Sequence, residues 1–246
     1  MKGGITFPLI KQSIRSVFLD YTFPIMVSAM IGLNIFVMLD GDLFQDSFDA
    51  FMPFNASIFK GILLMVYAGY LGSKFFAEEF EKNIISSVLI TPNKRCHIFI
   101  GKISSGALIL LLLVAISFFQ LYFSFSYWGS ISILFLTYMV SYSLLILLSS
   151  YFIFMISTFF SFLFKNVLMT ILTTTIWSVV SFFTLAFIPE DPELGGNMYG
   201  LLIALPYSSL QYAHEFISKY GNPSKLIFLV PAMTIIWLVT ISYVVF

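Results

Sequence analysis

EEFEKNIISSVLITPNKRCHIFIGK, residues 78–102, lies between two long apolar segments. Glu78, Glu79, Glu81, Lys82, Lys94, Arg95 and Lys102 all fall inside it, in a chain with only 12 Lys+Arg and 12 Asp+Glu. Phe80, Ile84, Ile85, Val88 and Leu89 recur at spacings of three and four and form one apolar face. Glu79, Lys82, Asn83, Ser86 and Ser87 take the other side. The pattern predicts a short amphipathic helix over 79–91, with Glu78, Glu79 and Glu81 gathered at its start, where the helix dipole favours negative charge. Pro92 ends it, because a proline disfavours helical geometry at the residue before it. Such a helix lies flat on a membrane and offers one face to the cytoplasm.

The membrane follows from composition. The 246 residues are 59% hydrophobic and 10% charged, against about 25% charge in a soluble domain. Thirty Phe and thirteen Tyr suit lipid-facing and interfacial positions. The net charge of zero leaves no footprint for nucleic acid. Cys96 is the single cysteine, so no internal disulfide forms. The first apolar run lacks a small-residue cleavage site and follows an amphipathic segment, so it does not read as a signal peptide.

Working outward, the chain reads as an all-α integral membrane protein with six transmembrane helices in one permease-like domain, 1–246. Residues 1–22 hold an interfacial helix: Phe7, Ile10, Ile14, Val17 and Phe18 share a face, while Lys11 and Arg15 face away. Spans are expected at 23–39, 58–76, 103–124, 131–160, 167–188 and 226–246. Lys60 falls at the outer end of the second span, where its long side chain snorkels. The apolar stretch of the fourth span continues to Phe164, about 34 residues or near 50 Å as a helix. That exceeds the roughly 30 Å hydrocarbon core. It is therefore tilted, or projects toward Lys165 and Asn166. Tyr127-Trp128-Gly129-Ser130 is expected to turn the chain between spans three and four. Asn34 and Thr173 to Thr175 read first as helix-packing residues and second as a polar path. The segment 77–102 is a cytoplasmic loop, and 189–225 an external segment with a helix near Ser208 to Tyr220, stopped by Gly221 and Pro223.

Orientation comes from basic residues. Lys2, Lys11, Arg15, Lys74, Lys82, Lys94, Arg95, Lys102 and Lys165 fall on the N-terminal side, and Lys60, Lys219 and Lys225 on the other. That splits the chain's twelve Lys and Arg nine to three, which predicts cytoplasmic termini and a cytoplasmic central loop.

The spacing within 78–102 resembles the cytoplasmic loop of type-2 ABC transporter permeases. Glu79 and Glu81 match that loop's acids, Ile85 and Leu89 its leucines, and Pro92, Arg95, Gly101 and Lys102 its remaining landmarks in register. Asn83 stands for the usual Gly and Ile84 for the usual Thr. The resemblance implies a coupling helix that docks on an ATP-binding subunit through Glu79, Glu81, Ile84, Ile85, Val88, Leu89, Pro92 and Arg95. The apolar members would fill a groove or rest on the membrane. Glu79, Glu81 and Arg95 would make rim contacts or tie the loop to the spans. The resemblance further implies a second permease subunit, in a homodimer or heterodimer, and a bacterial plasma membrane. ATP and magnesium would be held by the partner subunit and no cofactor by this chain. The expected cargo is hydrophobic or amphipathic, as in exporters of antimicrobial or cytolytic peptides or of drugs.

Other chemistries find less footing in the sequence. No GxxxxGK[ST] occurs, so the chain lacks an ATPase site of its own. No HExxH occurs, and His97 and His214 fall on opposite sides of the predicted membrane, which excludes a shared metal. Glu78-Glu79 is similar to the paired glutamates of intramembrane CAAX-type proteases. That family needs an arginine soon after the pair and histidines in later spans, and position 83 is Asn. A secondary transporter or channel is the remaining alternative. It calls for ionisable residues at mid-membrane or paired broken helices, and the six predicted spans show neither.

Overall fold

Ile133–Phe164 is a run of 32 residues with no Pro, Gly or charge, and nothing in it interrupts a helix. It becomes the axis of the bundle. The structure, a computed structural model, describes residues 6–39, 52–83, 95–128, 133–184 and 225–245. Among them every regular element is helical. These are α1 (Thr6–Phe18), α2 (Thr22–Leu39), α3 (Met52–Gly72), a π-helical turn (Ser73–Ala77) running straight into α4 (Glu78–Glu81), α5 (Arg95–Trp128), α6 (Ile133–Phe164), α7 (Val167–Thr184) and α8 (Lys225–Val245). Helix α6 packs against α3, α5, α7, α8 and the π turn.

Among the described residues two stretches are long and apolar enough to cross a membrane: Arg95–Phe123 within α5 and Met139–Phe164 within α6. A third exists if Ile10–Phe18 and Thr22–Leu33 form one broken span, bent by 62°. Val167–Ser178 and Ala232–Val245 are shorter apolar helices.

The seam between α3 and α6 is built from small residues. A Cβ on Gly72 would stand 2.7 Å from the Phe154 carbonyl oxygen and 2.7 Å from the Ser157 Cβ. On the α5 side a Cβ on Gly106 would stand 2.4 Å from the ring of Phe154. Only a missing side chain allows these approaches, as in tightly packed membrane helices generally. Ser157 Oγ donates to Gly69 O at 2.6 Å, and Ser161 Oγ to Gly72 O at 3.3 Å. The seam thus joins close packing to hydrogen bonds across two helices. Below it, Phe76, Phe99 and Phe162 pack with centroids 5.0–6.2 Å apart.

Several boundaries differ from expectation. The helix after the central loop begins at Arg95, eight residues before 103, and runs through Trp128. Cys96, His97, Gly101 and Lys102 therefore lie in its first two turns. Tyr127 and Trp128 end the helix instead of forming a turn. Helix α3, read from the sequence as part of the second span, continues to Glu81 through the π turn, past 76. Helix α6, the fourth predicted span, runs past 160 to Phe164, the end of its apolar stretch as read from the sequence, and stops at Lys165, where φ is 52°. Lys60 is fully buried inside α3 instead of snorkelling from its end. An ionisable residue is thus enclosed within a helix read as a span, where no such group was expected. Thr173 and Thr174 bond back to the carbonyls of Met169 and Thr170, each at 2.8 Å, as packing residues do. The external helix near Ser208 to Tyr220 lies outside the described residues, as do 84–94 and most of 189–225.

Candidate functional site

One end of the bundle carries nearly all the described ion pairs. It is assembled where α3 leaves the apolar seam. The π turn inserts an extra residue per turn relative to an α-helix. That shifts the facing of everything beyond it by about 100°. After the turn come Glu78, Glu79 and Glu81, of which Glu79 and Glu81 reach two different elements.

Glu79 pairs with Lys102 of α5. Lys102 Nζ also donates to Phe75 O, inside the π turn, at 2.6 Å. It lies 5.1 Å from the centre of the Phe76 ring. The side chain of Lys102 is 8% exposed and that of Glu79 31%. An ammonium this deep persists because carboxylate, carbonyl and ring surround it. The two roots of the central loop are thereby fastened together.

Glu81 reaches the other way. Its Oε2 accepts from the Val167 backbone N–H at 3.2 Å, a donor at the start of α7 that has no partner within that helix. Asn166 Oδ1 accepts from Met169 N at 3.0 Å and caps the same helix. Lys165 turns the chain between α6 and α7 and holds its Nζ 5.9 Å from the centre of the Phe80 ring. Glu78 pairs with Lys82 one turn on, and both are open to solvent. The pair pushes the Lys82 ammonium's pKa upward, through its hydrogen bond to Glu78 and then the charge of that carboxylate.

Asp20 completes the site from the corner between α1 and α2. It pairs with Lys74 and accepts from Tyr70 Oη at 2.7 Å and from Thr22 N at 3.3 Å. Burial alone would raise its carboxyl, but Lys74, Tyr70 and the Thr22 N–H hold it at about 2 against the ordinary 3.8. Both Lys74 and Tyr70 belong to the α3 rod. The bent α1–α2 corner is thus pinned beside the π turn. Between α1 and the α3–α4 end lies an open groove of 280 Å³, with Gln12, Ser13 and Ser16 on one wall and Lys74, Glu78, Glu79, Lys82 and Lys102 on the other.

Of the residues singled out from the sequence, Glu79, Glu81 and Arg95 are described. Glu79 and Glu81 stand four and two residues before the end of the described segment and bind α5 and α7. Arg95 is the exposed first residue of α5. Ile84, Ile85, Val88, Leu89 and Pro92 lie outside the described residues. The three carboxylates do not open a new helix, as the periodicity suggested. They occupy the last turn of the α3 rod, which closes on Asn83 at φ 55° with Lys82 N bonded to Glu78 O and Asn83 N to Phe80 O. Asn tolerates that left-handed geometry better than most residues. The helix is drawn through because Phe80 packs edge-on against Phe162, centroids 5.9 Å apart.

Sequence reading missed Asp20, Tyr70 and Lys74. Asp20 carried one signal, its place two residues ahead of Thr22 at a helix start. Lys74 had been counted only as a basic charge.

Compared with family models and with curated proteins, the chain matches none. Among the described residues no group of three or more His, Cys, Asp or Glu is placed to hold a metal.

Proposed function

We propose that this chain is the membrane-spanning permease subunit of an ATP-driven exporter of the type-2 ABC kind. It has six spans, cytoplasmic termini and a docking loop between the second and third spans. Two such permeases and two ATP-binding subunits make the working assembly in a bacterial plasma membrane. The cargo is a hydrophobic or amphipathic peptide or drug.

One observation carries this reading. The loop whose spacing resembles a coupling loop has both roots fastened to the bundle, by Glu79–Lys102 and by Glu81 at the start of α7. A push on that loop reaches α3, α5 and α7 together, which is what a subunit driven from outside requires. Val88 and Leu89, on the loop's apolar face, are the anchors to test. Truncating a desolvated anchor at an interface commonly costs about 2 kcal/mol or more, whereas rim charges cost little.

Val88→Asp and Leu89→Asp are therefore expected to release the co-purifying ATPase or to uncouple its hydrolysis from transport, with the permease present in the membrane at normal amounts. An ATPase that stays bound and substrate-stimulated in both variants would overturn the proposal. The buried Lys60 favours a secondary transporter as the second reading. Transport driven by an ion gradient without ATP, and lost in Lys60→Met, would replace the first reading with that one.

A further inference from the structure

We infer that the groove between α1 and the α3–α4 end binds the headgroup of a phospholipid that carries both a phosphate and a primary amine. Helix α1 is bent 62° from α2. With α2 along the membrane normal, α1 is inclined about 28° to the membrane plane, with its charged face near headgroup depth. Lys11 and Arg15 on α1 are exposed. At the corner, Phe18, Leu19 and Tyr21 are exposed apolar side chains that suit the upper acyl region.

Charge inside the groove is layered. Lys102 and Lys74 form its floor, with side chains 8% and 15% exposed. Glu79 and Glu78 stand higher, at 31% and 35%, and Lys82 is the most open, at 60%. Each of these ammoniums already pairs with a carboxylate, Lys102 with Glu79, Lys74 with Asp20 and Lys82 with Glu78, and Lys82, the most exposed, is the one open to a phosphodiester, the usual partner of basic pockets at membrane surfaces. The two accessible carboxylates suit an ammonium that can donate hydrogen bonds. A volume of 280 Å³ holds a headgroup and leaves the chains outside. A purely anionic headgroup would leave Glu78 and Glu79 facing negative charge, and a quaternary amine could not hydrogen-bond to them. The site requires only that the chain sit in a bilayer, so it stands apart from the exporter reading.

The test uses the full chain in micelles doped with equal amounts of phosphatidylethanolamine, phosphatidylcholine and phosphatidylglycerol of identical acyl chains. Retained lipid is read by native mass spectrometry. Preferential retention of phosphatidylethanolamine is expected. Glu78→Gln should lower that preference about threefold, the scale of one exposed charge-assisted contact, with phosphatidylcholine retention unchanged and phosphatidylglycerol retention raised. Lys82→Ala should lower retention of all three. Both positions are solvent-facing, so the fold is retained, and an unchanged circular dichroism melt verifies it. Equal retention of the three lipids, or preference for phosphatidylglycerol, overturns the proposal. So does displacement of the lipid by water-soluble glycerophosphoethanolamine at equimolar amounts, which would identify a soluble ligand instead.

Discussion

The α3–α6 seam and the charged end beyond the π turn lie on one continuous rod, yet they are held by different physics. At the seam, Gly69 and Gly72 let α3 approach until Ser157 and Ser161 bond to its carbonyls. All four residues are buried, and Ser161 Oγ shares its proton between Gly72 O at 3.3 Å and Ser157 O of its own helix at 2.8 Å. At the charged end the contacts are ion pairs of graded exposure, from Lys102 at 8% to Lys82 at 60%. Water can substitute for the exposed ones at small cost. The seam therefore behaves as a fixed pivot. The charged end can exchange partners without unfolding the bundle.

The largest effect expected from breaking this contrast is at the seam. Gly72→Ala places a Cβ 2.7 Å from a backbone carbonyl oxygen that cannot step aside. A loss of about 2 kcal/mol or more is expected, within the range for overpacked cores, read as a lowered Tm in detergent. A variant as stable as the parent would show that the seam has slack. Next comes Glu79→Ala, which leaves the Lys102 ammonium with Phe75 O and the Phe76 ring. Removing one partner of a fully buried pair costs about 3–5 kcal/mol. Glu79 is partly exposed, so a loss of about 1–2 kcal/mol is expected. Glu79→Gln, which keeps a hydrogen bond, should lose less.

Asp20 gives a pH signature. Its folded carboxyl titrates near 2, below the ordinary 3.8. A group depressed in the folded state contributes stability in full above its unfolded value and loses it as pH falls through the folded one. The Tm difference between the parent and Asp20→Asn should therefore be constant above about pH 5 and shrink steadily between pH 4 and 2. A difference that does not change with pH would mean that the carboxylate is not held by Lys74. Smallest is Lys82→Ala. Its pair with Glu78 is open to water, and Tm should not move measurably. A clear drop there would erase the distinction between the two regions.

Much of this was legible in the chain. The run from Ile133 to Phe164 has one reading. Thr173 and Thr174 were expected to bond to their own helix and do. What failed was local periodicity at the junctions. Glu78 to Glu81 looked like the start of an amphipathic helix because acids favour first turns, but packing of Phe80 on Phe162 draws α3 onward through them. Arg95 to Lys102 looked like loop because it is charged, yet Ile98 and Phe99 are buried on one face of α5, and Lys102 is turned inward to Glu79.

Composition and hydropathy by themselves determined a helical chain for an apolar solvent, the order of its apolar segments and the stretch where charge gathers. Those properties depend on neighbours three or four residues away, and a linear chain displays them directly. Only the tertiary structure decided which charges meet. Asp20 and Lys74 are 54 positions apart, and Glu79 and Lys102 are 23. It also decided that α3 takes a π turn and that Lys60 is enclosed. The reason is that the crossing of α3 with α6 is set by glycines at Gly69 and Gly72 and serines at Ser157 and Ser161. That crossing fixes the rotation of every residue beyond it.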